Sequence, residues 1–177
     1  ASTEEEIDRF YANMQEATDS TSRQDVLIVM GDLNAKVGRD QKAWSGVIGE
    51  HSIGEENERG ERLLNFCSCN NLVIANTLFK QTKPQWKWTW ISPDGKTRNL
   101  IDFIMVNKRW KSDILSCRSF AGDVGSDHKL VLAKFKLRLK AGAKTQRTKK
   151  YNIDKLKDMT IVEKFESPLQ RTLTWHV

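Results

Sequence analysis

One aspartate in this 177-residue chain lies inside an apolar run, and its position limits how the chain can fold. In LIDFIMV, Asp102 stands between Ile101 and Phe103 in a segment otherwise suited to a hydrophobic core. A carboxylate is costly to bury unless a partner or a metal ion compensates its charge. His128 is the natural candidate, because a carboxylate can orient an imidazole ring and keep it positively charged. We therefore expect the fold to bring residues 102 and 128 together.

Two further polar clusters border apolar sequence. In VLIVMGDLN, a predicted strand that begins at Val26 delivers Asp32 and Asn34 to its tip, and in GSDH the residue Asp127 precedes His128. Asp32 and Asp127 could hold a hard cation or activate water, because Mg²⁺ takes carboxylate oxygens and keeps several waters. The amide of Asn34 can contact a phosphate oxygen. Each motif alone also fits an ordinary turn or helix cap, but their joint placement at strand ends favours a site.

Composition indicates a soluble globular chain of about one domain, with 38% hydrophobic and 29% charged residues. No apolar run approaches the roughly 18 residues that span a bilayer, and the acidic opening ASTEEEIDRF does not resemble a signal peptide. The three cysteines lack the second ligand pair of a structural zinc site, so we expect free thiols in a reducing compartment.

The net charge of +6 is unevenly distributed. Residues 1–25 carry seven acidic and two basic side chains, whereas residues 134–157 carry ten basic ones against a single aspartate. This predicts a polyanionic partner, and a solvated basic tail that keeps the chain soluble is the open alternative. A nucleic-acid partner and basic runs such as RTKK predict nuclear residence. The candidate nucleic-acid contacts are Trp88, Lys144, Arg147, Lys149 and Lys150.

Hydrophobic periodicity predicts helices that alternate with strands. The predicted helices are Glu4–Ala17 and Glu58–Asn70, and the predicted strands are Val26–Met30, Leu72–Asn76, Ile101–Val106 and Lys129–Leu139. The first strand is expected to be covered on both faces, and the glycine-containing segment 35–57 is expected to be a loop. This order predicts an α/β or α+β sandwich over residues 1–139, followed by a basic linker and short helical tail over 140–177.

Four segments together resemble the endonuclease/exonuclease/phosphatase superfamily, whose members include DNase I-like enzymes. They are GDLNAKVG, ENERGERLLNFCSCNNLVIANTLF, TWISPDGKTRNLIDFIMV and GSDHKLVLAKFKLRLK. The resemblance is closer to the endonuclease domains of non-LTR retrotransposons and to the craniofacial development protein 2-like proteins. It covers most of residues 4–165.

The resemblance implies a fold of two packed, largely antiparallel sheets flanked by helices. It implies Mg²⁺- or Mn²⁺-dependent cleavage of DNA, or alternatively RNA, by a monomer that has no membrane span. Asp32 would activate or orient water and help to hold the metal, Asn34 would contact the scissile phosphate, and Asp127 would lie near the metal. His128 would stabilise charge on the phosphate, and Asp102 would orient His128.

Complete members of the superfamily carry an asparagine, a metal-binding glutamate and a tyrosine or histidine upstream of this region. The resemblance begins at the helix before Gly31, so the sequence predicts an N-terminally truncated domain with impaired nuclease activity. The alternatives are a catalytically inactive nucleic-acid-binding remnant and an enzyme for a small phosphoester such as a phosphoinositide or nucleotide.

Overall fold

The computed structural model describes residues 3–120, 126–137, 154 and 157–164. The chain divides into two compact units, Ala1–Arg138 and Leu139–Val177. The first unit contains the helices α1 (Glu4–Asp19) and α2 (Glu58–Cys69) and the strands β1 (Ile28–Asp32), β2 (Leu72–Ile74), β3 (Trp90–Ile91), β4 (Arg98–Asn99), β5 (Asp102–Asn107), β6 (Ile114–Phe120) and β7 (Leu130–Phe135). Short 3₁₀ helices cover Ala75–Thr77, Pro84–Trp86 and Lys108–Asp113. In the second unit, residues 159–164 are helical.

The paired strands in the described part of the chain are antiparallel. One sheet has the order β1-β5-β2, and β3-β4 and β6-β7 form two further pairs. The β3-β4 hairpin closes with a tight turn, in which Gly95 adopts φ +71° and its N–H donates to the carbonyl of Ser92 at 2.8 Å. A mixed α/β fold with antiparallel sheets and helices was the predicted class.

Strand β5 lies between two hydrophobic clusters because its alternate side chains point to opposite faces. Phe103 and Met105 pack in a cluster with Leu63 and Leu64 of α2. On the other face, Ile104 and Val106 pack in a second cluster with Ile114 and Cys117 of β6. The three-stranded sheet is therefore covered by helices on one face and by the β6-β7 pair on the other.

Helix α1 begins with a capping box in which Thr3 and Glu6 bind each other's backbone N–H groups. Its acidic first turns contact α2 through Arg62, which is 3.3 Å from Glu4 and also pairs with Asp8. Tyr11 and Met14 pack against the helix-side cluster. Helical spacing places Phe10 on the same face of α1 as Tyr11 and Met14. Phe10 is nevertheless 50% exposed, because the hydrophobic core covers only a narrow part of that face.

Strand β1 is the largest departure from the predicted elements. It begins two residues later than Val26 and is not covered on both faces, since Met30 is 69% exposed and Ile28 37% exposed. Within the described residues β1 has a single neighbour, β5, and so forms an edge of its sheet. A central strand and an edge strand can have the same continuous apolar run in sequence. The prediction that both faces of β1 are covered was therefore wrong.

Strand β7 packs one of its two faces against the core. Its leucines Leu130 and Leu132 are 61% and 50% exposed, while Val131, Ala133 and Phe135 pack against the sheet. Pairing with β6 decides this orientation. Strand β6 was not among the predicted strands, because an irregularity between Ile114 and Ser116 breaks its alternation of apolar and polar residues.

The segment between β1 and α2 has no extended strand, as predicted, yet it packs tightly. Val37, Val47 and Ile48 are buried in the helix-side cluster. The side chain of Asn57 accepts hydrogen bonds from the N–H groups of Lys36 and Gly60, each at 2.9 Å. The chain that leaves the tip of β1 is therefore fixed against the beginning of α2.

Candidate active site

Asp32, the last residue of β1, pairs with Asp102, the first residue of β5. Residues directly opposite each other in an antiparallel pair project from the same face of the sheet. Two carboxylates at such positions repel each other, so this arrangement requires a cation or a hydrogen-bond donor nearby.

The imidazole of His128 lies against both carboxylates. Its Nδ1 is 3.1 Å from Oδ2 and 3.2 Å from Oδ1 of Asp102, and its Nε2 is 4.0 Å from Oδ2 of Asp32. With a proton on Nδ1, the ring donates to Asp102 and directs Nε2 towards Asp32. The structure thus brings together residues 102 and 128, as expected from the buried position of the aspartate.

Backbone hydrogen bonds fix His128 relative to the hairpin. Trp90 and His128 form an antiparallel bridge. The N–H of Ile91 donates to the carbonyl of Asp127 at 3.1 Å, and the N–H of Lys129 donates to the carbonyl of Thr89 at 2.6 Å. The histidine is therefore held on both sides by the same short segment, residues 89–91.

Two polar residues that sequence reasoning missed support Asp102. The hydroxyl of Thr89, a residue only 1% exposed, accepts hydrogen bonds from the N–H groups of Ile101 and Asp102 at 3.0 and 3.1 Å. The Asn76 amide donates to the carbonyl of Asp102 at 3.1 Å and accepts from the N–H of Ile104 at 2.9 Å. The available signals were a threonine between two tryptophans and an asparagine that ends the apolar run LVIAN.

Asn34 adopts a left-handed backbone conformation with φ +48°, which asparagine tolerates better than most residues. Its backbone N–H donates to Oδ1 of Asp32 at 2.9 Å, and its side-chain amide donates to Oδ2 at 3.3 Å. Both oxygens of Asp32 are thus oriented by the residue two positions further along the chain.

Asp127 lies next to His128 in sequence but contacts a different group. Its Oδ2 accepts a hydrogen bond from the indole N–H of Trp90 at 2.7 Å. This bond holds the pKa of the Asp127 carboxyl below its ordinary value, so the side chain is a carboxylate at neutral pH. Of the predicted nucleic-acid contacts, Trp88 is partly buried. The others, Lys144, Arg147, Lys149 and Lys150, lie outside the described residues.

Residues 1–132 match the model of a family described as endonuclease-reverse transcriptase. The chain belongs to this family. It is 47% identical over 145 residues to craniofacial development protein 2 of Tragulus javanicus, and 46% identical over 145 residues to the Bos taurus protein. Each alignment covers 81% of this chain but only 25% and 24% of the respective relative, so the chain spans about a quarter of their length.

Solved structures of similar fold are nucleases. The endonuclease domain of TRAS1, a telomere-specific non-LTR retrotransposon, has a TM-score of 0.53 at 20% identity and aligns 75% of this chain with 53% of its own. The 3′-5′ exonuclease NExo from Neisseria meningitidis has a TM-score of 0.52 at 21% identity, with 73% and 53% coverage. These likenesses confirm the predicted DNase I-like fold class, and the family match confirms the resemblance to retrotransposon endonucleases.

The residues brought together at these strand ends fit a divalent cation. Asp32, Asp102 and His128 each offer one ligand atom, and the three atoms lie within 4.8 Å of one another. Carboxylate oxygens suit Mg²⁺ and Mn²⁺, and imidazole adds a ligand that Mn²⁺ also accepts. Asp127 is not in this cluster, although it was predicted to lie near the metal. None of the helices that the structure describes is long and apolar enough to cross a bilayer.

Proposed function

We propose that this chain carries the histidine and carboxylate groups of a divalent-metal-dependent endonuclease site that hydrolyses phosphodiester bonds in DNA. The observation that supports it best is the series Asp102–His128–Asp32, in which one imidazole lies between two carboxylates at adjacent strand ends. Hydrolysis of a phosphodiester requires a positioned nucleophile and neutralisation of the charge that develops on the phosphate. The three side chains can share these tasks.

His128 would neutralise charge on the phosphate. Asp102 accepts a hydrogen bond from Nδ1–H and thereby fixes the plane of the ring, while Thr89 and Asn76 fix the backbone that carries Asp102. An N–H at Nε2 can then donate a hydrogen bond to a non-bridging phosphate oxygen as negative charge increases in the transition state. Asp102 is a positioning residue in this scheme, because it acts through the imidazole.

Asp32 would orient the attacking water and accept its proton as the new P–O bond forms, while the P–O bond to the leaving ester oxygen breaks and that oxygen takes a proton from solvent. Asn34 holds both oxygens of Asp32, and the second hydrogen of its amide remains available to a phosphate oxygen. A divalent cation held by Asp32 would supply Lewis-acid stabilisation of the phosphate. The position of Asp32 and Asn34 at the end of β1 limits the movement of their side chains.

A nucleic-acid-binding domain that does not cleave is the competing function. It is favoured by the composition of the described cluster, which holds two carboxylates and an imidazole whose Nδ1 is engaged by Asp102. Such a ligand set binds a hard cation weakly unless further oxygen ligands complete it. The net charge of +6 would then serve to bind DNA or RNA.

Nicking of a supercoiled plasmid in Mg²⁺, in Mn²⁺ and in EDTA tests the proposal. We expect weak nicking, in line with the impaired activity predicted from the sequence, that requires the metal and is lost in Asp32→Asn and His128→Gln proteins. Asp113→Asn serves as the matched control, because it removes one carboxylate from the end of a 3₁₀ helix on another part of the unit. Equal nicking by the wild type and by His128→Gln would reject the proposal.

Two other outcomes identify the alternatives. Salt-sensitive binding of DNA or RNA without metal-dependent nicking would support the binding domain. Faster release of phosphate from a small phosphomonoester than cleavage of duplex DNA would remove DNA as the substrate.

A further inference from the structure

A stack of cations and aromatic rings lies beside the proposed active site. The guanidinium carbon of Arg118 is 4.2 Å from the ring centroid of Trp86 and 4.3 Å from that of Phe120. The ammonium group of Lys83 is 5.2 Å from the Trp86 ring. These separations are within the range of cation–π attraction, so the rings hold both cations in place.

The segment that carries Trp86 is anchored to the neighbouring strands. The carbonyl of Gln85 accepts a hydrogen bond from the hydroxyl of Ser119 on β6, at 3.3 Å, and another from the ammonium group of Lys129, at 2.9 Å. Lys129 follows His128 directly in the chain. The stack is therefore joined to the residue next to the proposed catalytic histidine through a single carbonyl group.

The cations of this stack have no acidic partner among the residues described. Arg118, Lys83 and Lys129 form no ion pair with a carboxylate in that part of the chain. Arg98 adds a fourth positive charge, since burial first and Arg98 second lower the pKa of Lys129. Like charges held together without carboxylates suit a polyanion.

We propose that Lys83, Arg118 and Lys129 form a backbone-binding surface, which contacts the phosphates of a nucleic-acid strand beside His128. Trp86 and Phe120 lie within cation–π distance of the Arg118 guanidinium, and none of the described carboxylates pairs with its planar fork, which suits bidentate binding of a phosphate. Three separate cations can bind successive phosphates. The ligand is therefore a nucleic-acid strand and not a single phosphate. The choice of a nucleic acid rests on the proposed function, although binding itself requires no catalysis.

Binding of a labelled 20-base-pair duplex DNA, measured by fluorescence anisotropy in EDTA over a range of salt concentrations, tests the surface. For Arg118→Gln we expect affinity to fall about tenfold, and the slope of log K against log salt to decrease by about 0.9 for each phosphate that the variant no longer binds. Lys83→Gln and Lys129→Gln should each reduce the slope without disturbing the packing of Arg118 on Phe120. Arg118→Lys should keep the slope and bind more weakly, because it retains the charge but not the fork.

Arg109→Gln is the matched control. Arg109 also lies over a tryptophan, 5.6 Å from the ring of Trp110, but on the 3₁₀ helix Lys108–Asp113. Its affinity and salt slope should equal those of the wild type. Wild-type affinity and slope in the Arg118→Gln, Lys83→Gln and Lys129→Gln proteins, or equal reductions in Arg109→Gln, would overturn the inference.

Failure of the surface and failure of the nuclease proposal give different results. A wild-type protein that nicks DNA, combined with unchanged binding by the three variants, rejects only the surface. A wild-type protein that does not nick DNA in any metal, combined with the expected reductions of affinity and slope, rejects only the nuclease.

Discussion

Asp32 and Asp102 occupy directly opposed positions where β1 ends and β5 begins. Each carboxylate alone is ordinary for a strand end, but the pair accumulates negative charge on one face. His128 reduces the repulsion between them, because its two ring nitrogens face the two side chains. The histidine therefore has a structural role as well as the proposed catalytic one.

Replacement of Asp102 by Asn should reduce metal-dependent nicking by on the order of 10²-fold or more, since the ring would lose the acceptor that orients it. The initial rate of plasmid nicking measures this effect. His128→Gln in the same background should cause little additional reduction, because both changes affect one unit. Additive effects would show that Asp102 does not act through His128.

Replacement of Asp32 by Asn should weaken Mn²⁺ binding at least tenfold, since an amide is a poorer ligand for a hard cation than a carboxylate. Titration calorimetry with Mn²⁺ alone measures the affinity without any substrate. Asp127→Asn should have a smaller effect, because Asp127 binds the indole of Trp90 and lies outside the three-residue cluster. A larger reduction from Asp127→Asn would transfer the main ligand role to that residue.

Gly60→Ala should lower the free energy of unfolding by about 1–3 kcal/mol or more, as overpacking does. A Cβ atom at Gly60 would lie 1.7 Å from the carbonyl oxygen of Lys36, and a backbone atom cannot move aside as a side chain can. Urea denaturation followed by circular dichroism measures the change. Gly31→Ala is the control, because its Cβ would meet nothing closer than Leu33 at 4.0 Å. Equal stability of the two variants would contradict the close approach of α2 to the loop.

Stability should decrease from about pH 9 upwards. Burial raises the pKa values of Cys67 and Cys117 from 9.0 to about 12, and burial likewise raises that of Tyr11 from 10.0 to about 12. Below pH 9 both folded and unfolded thiols are protonated, so these groups contribute no pH dependence. Between pH 9 and about 12 only the unfolded thiols lose their protons, which favours unfolding by about 1.4 kcal/mol per thiol and pH unit.

Urea midpoints at pH 8, 9.5 and 10.5 measure this decrease. The double variant Cys67→Ala/Cys117→Ala should show a shallower decline, whatever its stability at pH 8. An identical decline in the double variant would assign the effect to other groups.

The sequence was most informative where a residue type conflicted with its surroundings. The position of Asp102 in an apolar run indicated that its carboxylate needs a partner. Helix α2 was predicted because helical periodicity is a local property, and the structure buries its Leu63, Leu64 and Phe66. The tip residues Asp32 and Asn34 were placed correctly on a strand end, although the strand begins later than predicted.

Features that depend on tertiary pairing were not predictable in the same way. Which face of β7 is buried depends on the irregular pairing with β6, and a shift by one residue exchanges every side chain between the two faces. Thr89 and Asn76 act through backbone groups more than ten residues away, so their local sequence signals do not show which groups they bind. The roles of the site residues and nuclear residence stay predictions.

The edge position of β1 determines how firmly Asp32 is held. Within the described residues a single ladder, to β5, restrains Ile28–Asp32, so their amide groups alternate between bonded and outward-facing ones. Hydrogen–deuterium exchange should therefore be biphasic along this strand, with slow and fast amides in turn. A ligand that engages the carboxylate of Asp32 would slow exchange along its strand, so occupancy of the site could be detected in the backbone without any chemical step.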